Sequence, residues 1–427
     1  MLRRTLGLFQ VSLSGVGVIL GAGVYALIGP AAALASNALW LSFLMAGATA
    51  GFTAYAYAQL GRLAPRNSPE FQYTALAFGP TAGFVAGSLM LVADILATAA
   101  VTIGFGGYVR HLLGTPLTAN ALALVVVLGV ILYSGVRRSV AIAIVLTILE
   151  AAGLLFVIVI GLPFWSDTQY LVVPPSGFAG ISGAAALIFF AYLGFDELGN
   201  FAEEMRNPER DLPRALYLSM AASTAIYVLV ALSAVAAVGA AQLGASEAPL
   251  ALVARRVLGA HADVTLSVVA LGATANTALL LLVSASRSVY GMAAAGVFPT
   301  SLARINRASV PVAATAVVLG LLAILVSLGG LQAVASMTDA VVLVSFMLVN
   351  ASLPWLAARR PAAVPARVRA AHTLIPALAL LLCAWLLLHA GAASIMIALG
   401  LSGLALVAAP GTRMWWRARL RRWALRS

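Results

Sequence analysis

The sequence predicts an all-α integral membrane protein of about twelve transmembrane helices, and three observations predict it. Hydrophobic residues fill 63% of the 427 positions, charged residues only 9%, and the mean hydropathy is +1.04. A water-soluble domain carries roughly 25% charged residues. Apolar runs long enough to cross a bilayer, about 20 residues each, recur along nearly the whole chain. The basic residues gather in alternate loops between those runs, as expected of a multi-pass membrane protein.

Taken in order, the runs fall near 9–33, 38–60, 80–109, 118–135, 139–163 and 180–204, then 214–240, 262–296, 312–329, 331–357, 373–390 and 392–410. The third and eighth are long enough to require tilt or irregular ends. All 25 basic residues are arginine. With the N-terminus in the cytoplasm, 21 of them lie in cytoplasmic loops and tails, only Arg110, Arg255 and Arg256 lie outside, and Arg287 sits within a span. Both termini are therefore expected in the cytoplasm, and the protein in the cytoplasmic (inner) membrane. Residues 1–8 are too short for a cleavable leader, so the first span is expected to be retained.

The net charge of +12 is spread over short loops and not gathered on one face, which argues against a nucleic-acid partner. The tail from Arg413 to Arg426 interleaves Arg with Trp, a pattern suited to lipid headgroups. Cys383 is the single cysteine and lies in an apolar run, so no disulfide framework exists. The four histidines have no metal-ligand spacing, no cofactor is implied, and an enzyme is not expected. A channel would show polar or charged rings along a pore, and no such series is present.

Two spans are interrupted. The first holds Gly15-Val-Gly-Val-Ile-Leu-Gly-Ala-Gly23, four glycines in nine residues, followed by Tyr25 and Pro30. Glycine weakens a helix interior by about 1 kcal/mol relative to alanine, although glycines also let membrane helices approach closely. An unwound turn here turns the amides of Gly21, Ala22 and Gly23 toward a cavity, at the N-terminus of a half-helix that favours a carboxylate. The sixth span holds Phe189-Phe-Ala-Tyr-Leu-Gly-Phe-Asp196. There the carbonyls of Phe190, Ala191 and Tyr192 are expected to lack helical partners and to suit an ammonium group, with Gly194 as the alternative simple hinge. Paired interruptions in two halves point to a secondary transporter, and an anion seat beside a cation seat describes a zwitterion such as an amino acid.

Those segments, with Ala202-Glu-Glu-Met-Arg-Asn-Pro-Glu-Arg-Asp-Leu-Pro-Arg214, Ser286-Arg-Ser-Val-Tyr-Gly-Met-Ala-Ala-Ala-Gly-Val-Phe-Pro299 and Phe346-Met-Leu-Val-Asn350 before Arg359-Arg360, resemble the amino acid–polyamine–organocation permeases, and among them bacterial permeases like the cationic amino acid transporters. The resemblance runs from about residue 5 to 360. It implies the leucine-transporter fold: inverted repeats over 1–163 and 164–360, with residues 361–427 forming two further helices and a basic tail. It also implies alternating access around a midplane site. Substrate contacts are then expected at Ile19, Gly21, Ala22, Gly23, Thr102, Phe190, Ala191, Tyr192, Gly194 and Phe195, with an apolar wall of Ile103, Phe105, Phe195 and Phe201.

Several proton-coupled relatives carry a lysine in the fifth span, whereas this chain has none; alignment through Gly153-Leu-Leu-Phe-Val-Ile-Val-Ile-Gly161 puts Glu150 at that position. A carboxyl in hydrocarbon is a functional candidate, able to carry a proton or to ligate a cation; the alternative is a carboxyl near the cytoplasmic half that pairs with a basic loop. Asp94, read as the other lone intramembrane acid, lies about two turns before Thr102 and can bind a proton, balance a cationic cargo or bond within the bundle. Thr274, Asn276 and Thr277 can complete a proton or Na⁺ site with Gly17 of the first span. Asp196, Glu203, Glu204, Arg206, Arg210 and Arg214 are read as a cytoplasmic gate or a solvated loop. Ser68-Pro-Glu-Phe71 replaces the family's usual Gly-Gly before the third span. The expectation is a secondary transporter of amino acids coupled to protons, with organic amines or polyamines as the alternative cargo. Oligomeric state is not legible in the sequence.

Overall fold

A computed structural model describes residues 7–63, 68–134, 139–172, 174–199, 205–294, 298–306, 310–359 and 366–409. Phe201, Glu203, Glu204 and the Arg413–Arg426 tail lie outside the described residues. The regular elements there are helical throughout. The first span is two pieces, α1 (Leu8–Ile19) and α2 (Ala22–Ala35), parted at Leu20-Gly21. Then come α3 (Leu39–Leu63), a short α4 (Pro69–Phe78), α5 (Pro80–Leu113), α6 (Leu117–Ser134) and α7 (Ser139–Gly161). The sixth span is α8 (Phe178–Ile188) closed by a 3₁₀ turn at Phe189–Tyr192. Helices α9 (Pro208–Val238), α10 (Ala240–Gly244), α11 (Pro249–Leu258), α12 (Ala260–Ala294), α13 (Val312–Leu328), α14 (Leu331–Arg359), α15 (Ala366–His389) and α16 (Ala392–Ala408) complete the chain.

Eight described segments are long and apolar enough to cross a membrane, and four shorter apolar helices, α1, α6, α13 and α16, accompany them. Each spanning helix follows its apolar run, whereas α4, α10 and α11 lie between runs. Gly79, at φ +95°, turns the chain before Pro80 opens α5, the first-turn position that proline tolerates. Gly114, at φ +69°, closes the same helix in the left-handed conformation that a Cβ disfavours. The third and eighth spans keep unbroken helices of 34 and 35 residues. At 1.5 Å per residue each exceeds a hydrocarbon layer of about 30 Å, and neither ends in an irregular segment within its run.

Helix α5 forms the centre, packed against α4, α6, α12, α13 and α14; α3 and α1 pack on α9, and α2 on α8. Small residues set the closest approaches. A Cβ at Gly161 would lie 2.4 Å from Ser233 Cβ and 2.8 Å from its Cα, and one at Gly104 would lie 2.8 Å from Ala26 Cβ. Without a hydrophobic force between helices in lipid, such contacts carry much of the association. Outward faces of α6, α13 and α16 expose Val126, Val130, Ile324, Leu404 and Val407, as a lipid-facing surface requires.

We expect Gly161→Ala to lower the thermal midpoint in detergent by the equivalent of about 1–3 kcal/mol, because the added methyl meets backbone that cannot move aside. Gly400→Ala on α16, whose Cβ would meet nothing within 4 Å, should leave the midpoint unchanged or slightly raised. Equal midpoints for the two variants would contradict this packing.

Candidate functional site at the two broken helices

The two interruptions meet at one side chain. Tyr227 of α9, fully buried, places its hydroxyl against the Ile19 carbonyl at the end of α1 and 2.9 Å from the Ala191 carbonyl in the 3₁₀ turn. A phenol has a single proton to donate, so two convergent carbonyls share it. Sequence reasoning missed Tyr227. Its signal, a tyrosine deep inside an otherwise apolar run, was present but shared with several other tyrosines.

Around this junction the expected residues take definite places. The Ala22 amide donates to Thr277 Oγ1 at 3.2 Å, tying the start of α2 to α12. Gly23 lies against backbone: a Cβ there would be 2.6 Å from Ala191 Cα. Gly21 faces Thr277 Oγ1, and Gly17 lies against Thr147 of α7. The three amides were expected to face a cavity together. Instead, Ala22 bonds a hydroxyl and Gly23 serves close contact, and Gly21, Ala22 and Gly23 are all buried. Gly194, at φ +107°, lets the chain leave the 3₁₀ turn beside Val18, whose Cγ1 would be 2.6 Å from a Cβ.

Two of the three carbonyls expected to lack helical partners, those of Phe190 and Ala191, have protein donors. The Phe190 carbonyl accepts the Leu193 N–H at 3.2 Å, because the chain tightens into a 3₁₀ turn before it breaks. The Ala191 carbonyl is the one that Tyr227 meets. Tyr192 points elsewhere, its hydroxyl donating to the Phe43 carbonyl at 2.8 Å. Phe195 is buried beside Tyr57 and Phe346, with ring centroids 5.5 and 5.3 Å away; Ile103 is buried and Phe105 half-buried.

Glu150 is 1% exposed, and its Oε1 has no hydrogen-bond partner among the described residues. Tyr25 donates to its backbone carbonyl at 2.7 Å, and both Tyr25 and Tyr227 stand within its electrostatic reach. Glu150 therefore borders the junction. Thr102 and Thr274 turn their hydroxyls back onto their own helices, to Thr98 and Ala270 carbonyls at 2.6 and 2.8 Å. Asn276 is buried on the same helix as Thr274.

Asp94 belongs to a different group. It accepts from Ser284 Oγ at 3.0 Å and shares its electrostatic surroundings with Glu197, Asp196 and Glu70. Asp196 accepts the Gly194 N–H at 3.0 Å, while Arg206, Arg210 and Arg214 are exposed to solvent. Glu70 of α4, 6% exposed, accepts a 2.7 Å hydrogen bond from Tyr57. Burial pushes its carboxyl up to about 8, and the charge of Asp196 adds to the effect. Nor is Asp94 the other lone intramembrane acid: Asp339, in the first third of α14, is 0% exposed, and neither of its oxygens has a hydrogen-bond partner among the described residues. Its signal, an acid inside a run of spanning length, was the same as that of Asp94.

Tyr227→Phe should lower stability in detergent by about 1–3 kcal/mol, since it leaves two buried carbonyls without a donor; an unchanged midpoint would show that the hydroxyl holds nothing together. A second expectation concerns pH. Glu70 binds its proton more tightly in the fold than in the unfolded chain, where its value is 4.5. Its contribution is therefore full at acid pH and is lost as pH rises from about 4.5 through about 8. Thermal midpoints of wild type minus Glu70→Gln should fall across that window, and a flat difference would contradict the buried placement.

Comparison with known proteins agrees with this architecture. The amino acid permease family profile matches residues 6–410. The chain is 28% identical to the branched-chain amino acid permease BcaP of Bacillus subtilis, over 91% of this chain and 89% of that protein. It is 26% identical to the methylthioribose transporter of the same organism, over 71% of this chain and 70% of that one. It is also 29% identical to the chloroplastic cationic amino acid transporter 9 of Arabidopsis thaliana, over 71% of this chain and 57% of that protein. A match covering nearly the whole described helical bundle, together with two broken helices meeting at its centre, means that this chain belongs to the amino acid permease family.

Proposed function

We propose that this permease carries an amino acid across the cytoplasmic membrane by alternating access, with both termini in the cytoplasm, and that uptake is coupled to protons. The observation that carries the reading is the convergence of the Ile19 and Ala191 carbonyls on one hydroxyl. An ammonium brings three donors where the phenol brings one, so a cargo amine satisfies both carbonyls and leaves Tyr227 as their partner when the site is empty. The start of α2, with the Ala22 amide held by Thr277, supplies the neighbouring half-helix N-terminus for the carboxylate. Inverted repeats over 1–163 and 164–360 place one broken helix at the head of each half. The order supports them: α4 follows the second span of one half, and α10 with α11 follows the second span of the other.

Proton coupling is assigned to Glu150, whose Oε1 is buried without a partner beside the junction. Asp94 is the second candidate, and Na⁺ in place of the proton is the variant reading. An organic amine as cargo draws support from the carboxylate group of Asp94, Asp196, Glu197 and Glu70.

A thermal-shift screen in detergent tests the cargo. Ligand binding to the folded state raises apparent stability by mass action, about 2.7 kcal/mol at a hundredfold excess over Kd. Stabilisation by a neutral amino acid without Na⁺ is the expected result, and stabilisation by amines alone would move the assignment to the organocation reading. For coupling, Glu150→Gln should abolish pH-driven uptake into vesicles while sparing cargo binding. Unchanged pH dependence in that variant would remove Glu150 from the mechanism.

A further inference from the structure

A carboxyl that neither the sequence reading nor the proposed transport site uses lies directly behind the second break. Asp339 sits eight residues into α14, fully buried, with both oxygens lacking a hydrogen-bond partner among the described residues. Phe346, seven residues on and so on the same helix face, touches Phe189 and Phe195 at 6.1 and 5.3 Å between ring centroids. That face of α14 therefore lies against the segment where the sixth span unwinds. The Phe190 backbone is the one polar group that acts on the Asp339 carboxylate besides its burial, although neither oxygen has a hydrogen-bond partner among the described residues.

Among the described residues, no cationic side chain is a hydrogen-bond partner of this carboxyl. Of the elements packed against α14, α8 and α16 carry no ionisable side chain. From α2, α3 and the 3₁₀ turn come Tyr25, Tyr57 and Tyr192, which are neutral phenols bonded to Glu150, Glu70 and Phe43. From α4 and α5 come Glu70 and Asp94, whose electrostatic partners are one another and Asp196 and Glu197. The remaining phenols are Tyr55 on α3, Tyr73 on α4 and Tyr108 on α5. Basic side chains lie toward helix ends: Arg62 on α3, Arg110 and His111 on α5, and Arg359 on α14 itself. On α15 they are Arg367, Arg369 and His372 at one end and His389 at the other, with the Cys383 thiol between, beside Thr53. None of these groups is a hydrogen-bond partner of Asp339.

A carboxyl in apolar surroundings is stable when it holds a proton or a cation and costly otherwise. We propose that Asp339 is a proton-binding group that positions the second break. Neutral, it leaves the Phe190 N–H alone; ionised, it draws that N–H and shifts the 3₁₀ turn. Phe190 is the neighbour of Ala191, whose carbonyl meets Tyr227, so the proton on Asp339 reaches the cargo site through one residue. The functional consequence rests on the transport reading above, but the protonation itself does not.

The test therefore needs no cargo. Infrared difference spectra of the purified, lipid-reconstituted protein between about pH 5 and pH 9 read the C=O stretch of neutral carboxyl side chains. A band present at acid pH and lost at alkaline pH, shifted by ¹³C-aspartate labelling, absent from Asp339→Asn and retained in Glu150→Gln, is the expected result. Because Asp94 and Asp196 can give bands of their own, the decisive reading is the wild-type minus Asp339→Asn difference: an aspartate-label-sensitive pattern that Asp339→Asn leaves unchanged, or no label-sensitive band in the wild type, would overturn the assignment. Should the Asn variant not fold, Asp339→Glu serves: its band must lose the aspartate label shift. Hydrogen exchange of the 187–194 peptide, corrected for intrinsic rate, should change with pH in wild type and not in Asp339→Glu or Asp339→Asn. Exchange independent of pH in the wild type would refute the positioning role. Failure of every cargo to bind would instead count against the transport reading and leave these signals as they are.

Discussion

The structure depends on one constraint: a polypeptide that breaks its helix inside hydrocarbon must find other partners for the freed N–H and C=O groups, each of which otherwise costs several kcal/mol. Tyr227 is the main answer. By standing between the ends of both broken segments it lets α1 and α8 stop in the middle of the bundle. Thr277 does the same for the Ala22 amide, and the 3₁₀ turn satisfies the Phe190 carbonyl internally. The glycines then have a second task. Gly23 and Gly194 admit backbone and the Val18 side chain at distances no Cβ permits, so the broken pieces lie against each other and not against a lining of side chains.

The same constraint explains why the site is assembled from several helices. Helices α9 and α12 provide the hydroxyls of Tyr227 and Thr277, and α7 provides Glu150. Tyr25 of α2 donates to the Glu150 backbone and is itself held by the Tyr108 hydroxyl of α5, at 3.0 Å. A rearrangement of either broken segment must therefore exchange hydrogen bonds with at least two long helices. Exchange of that kind has discrete arrangements, unlike gradual bending.

The fold was largely legible because hydropathy reports on solvent directly: α3, α5, α9, α12 and α14 each follow an apolar run of spanning length. The elements it passed over, α4, α10 and α11, are too short to span. In α11 the buried Leu250, Ala251, Val253 and Ala254 are followed directly by exposed Arg255 and Arg256, so its apolar stretch is too short for a search for spanning runs to register. Within the site, the positions of the breaks followed from glycine and from local motif. What filled them did not, because hydrogen-bond partners come from tertiary contact: nothing local to Tyr227 distinguishes it from Tyr192, whose hydroxyl serves Phe43 instead. Thr102 and Thr274 show the converse. Hydroxyls in apolar helices bond their own backbone when no stronger partner is near, and their sequence context carries no mark of that outcome.

Apart from Asp263, which lies 2.8 Å from His111, the buried and half-buried acids of the helical core divide according to their partners, and the division has mechanistic content. Asp94, Asp196 and Glu70 each have a hydrogen-bond donor, from Ser284, Gly194 and Tyr57, and they share one electrostatic neighbourhood with Glu197. Groups so linked exchange protons as a unit, and the charge of one sets the cost of charging the next. Glu150 and Asp339 stand outside that neighbourhood, on α7 and α14, each with at least one oxygen left without a partner. Glu150 borders the junction of the two breaks and Asp339 backs the second. A chain that retains two isolated carboxyls in its membrane interior bears a recurrent energetic cost. Apolar residues of similar size would remove that cost without disturbing α7 or α14, so the cost is understandable only if the charge state of these groups does something that the packing does not.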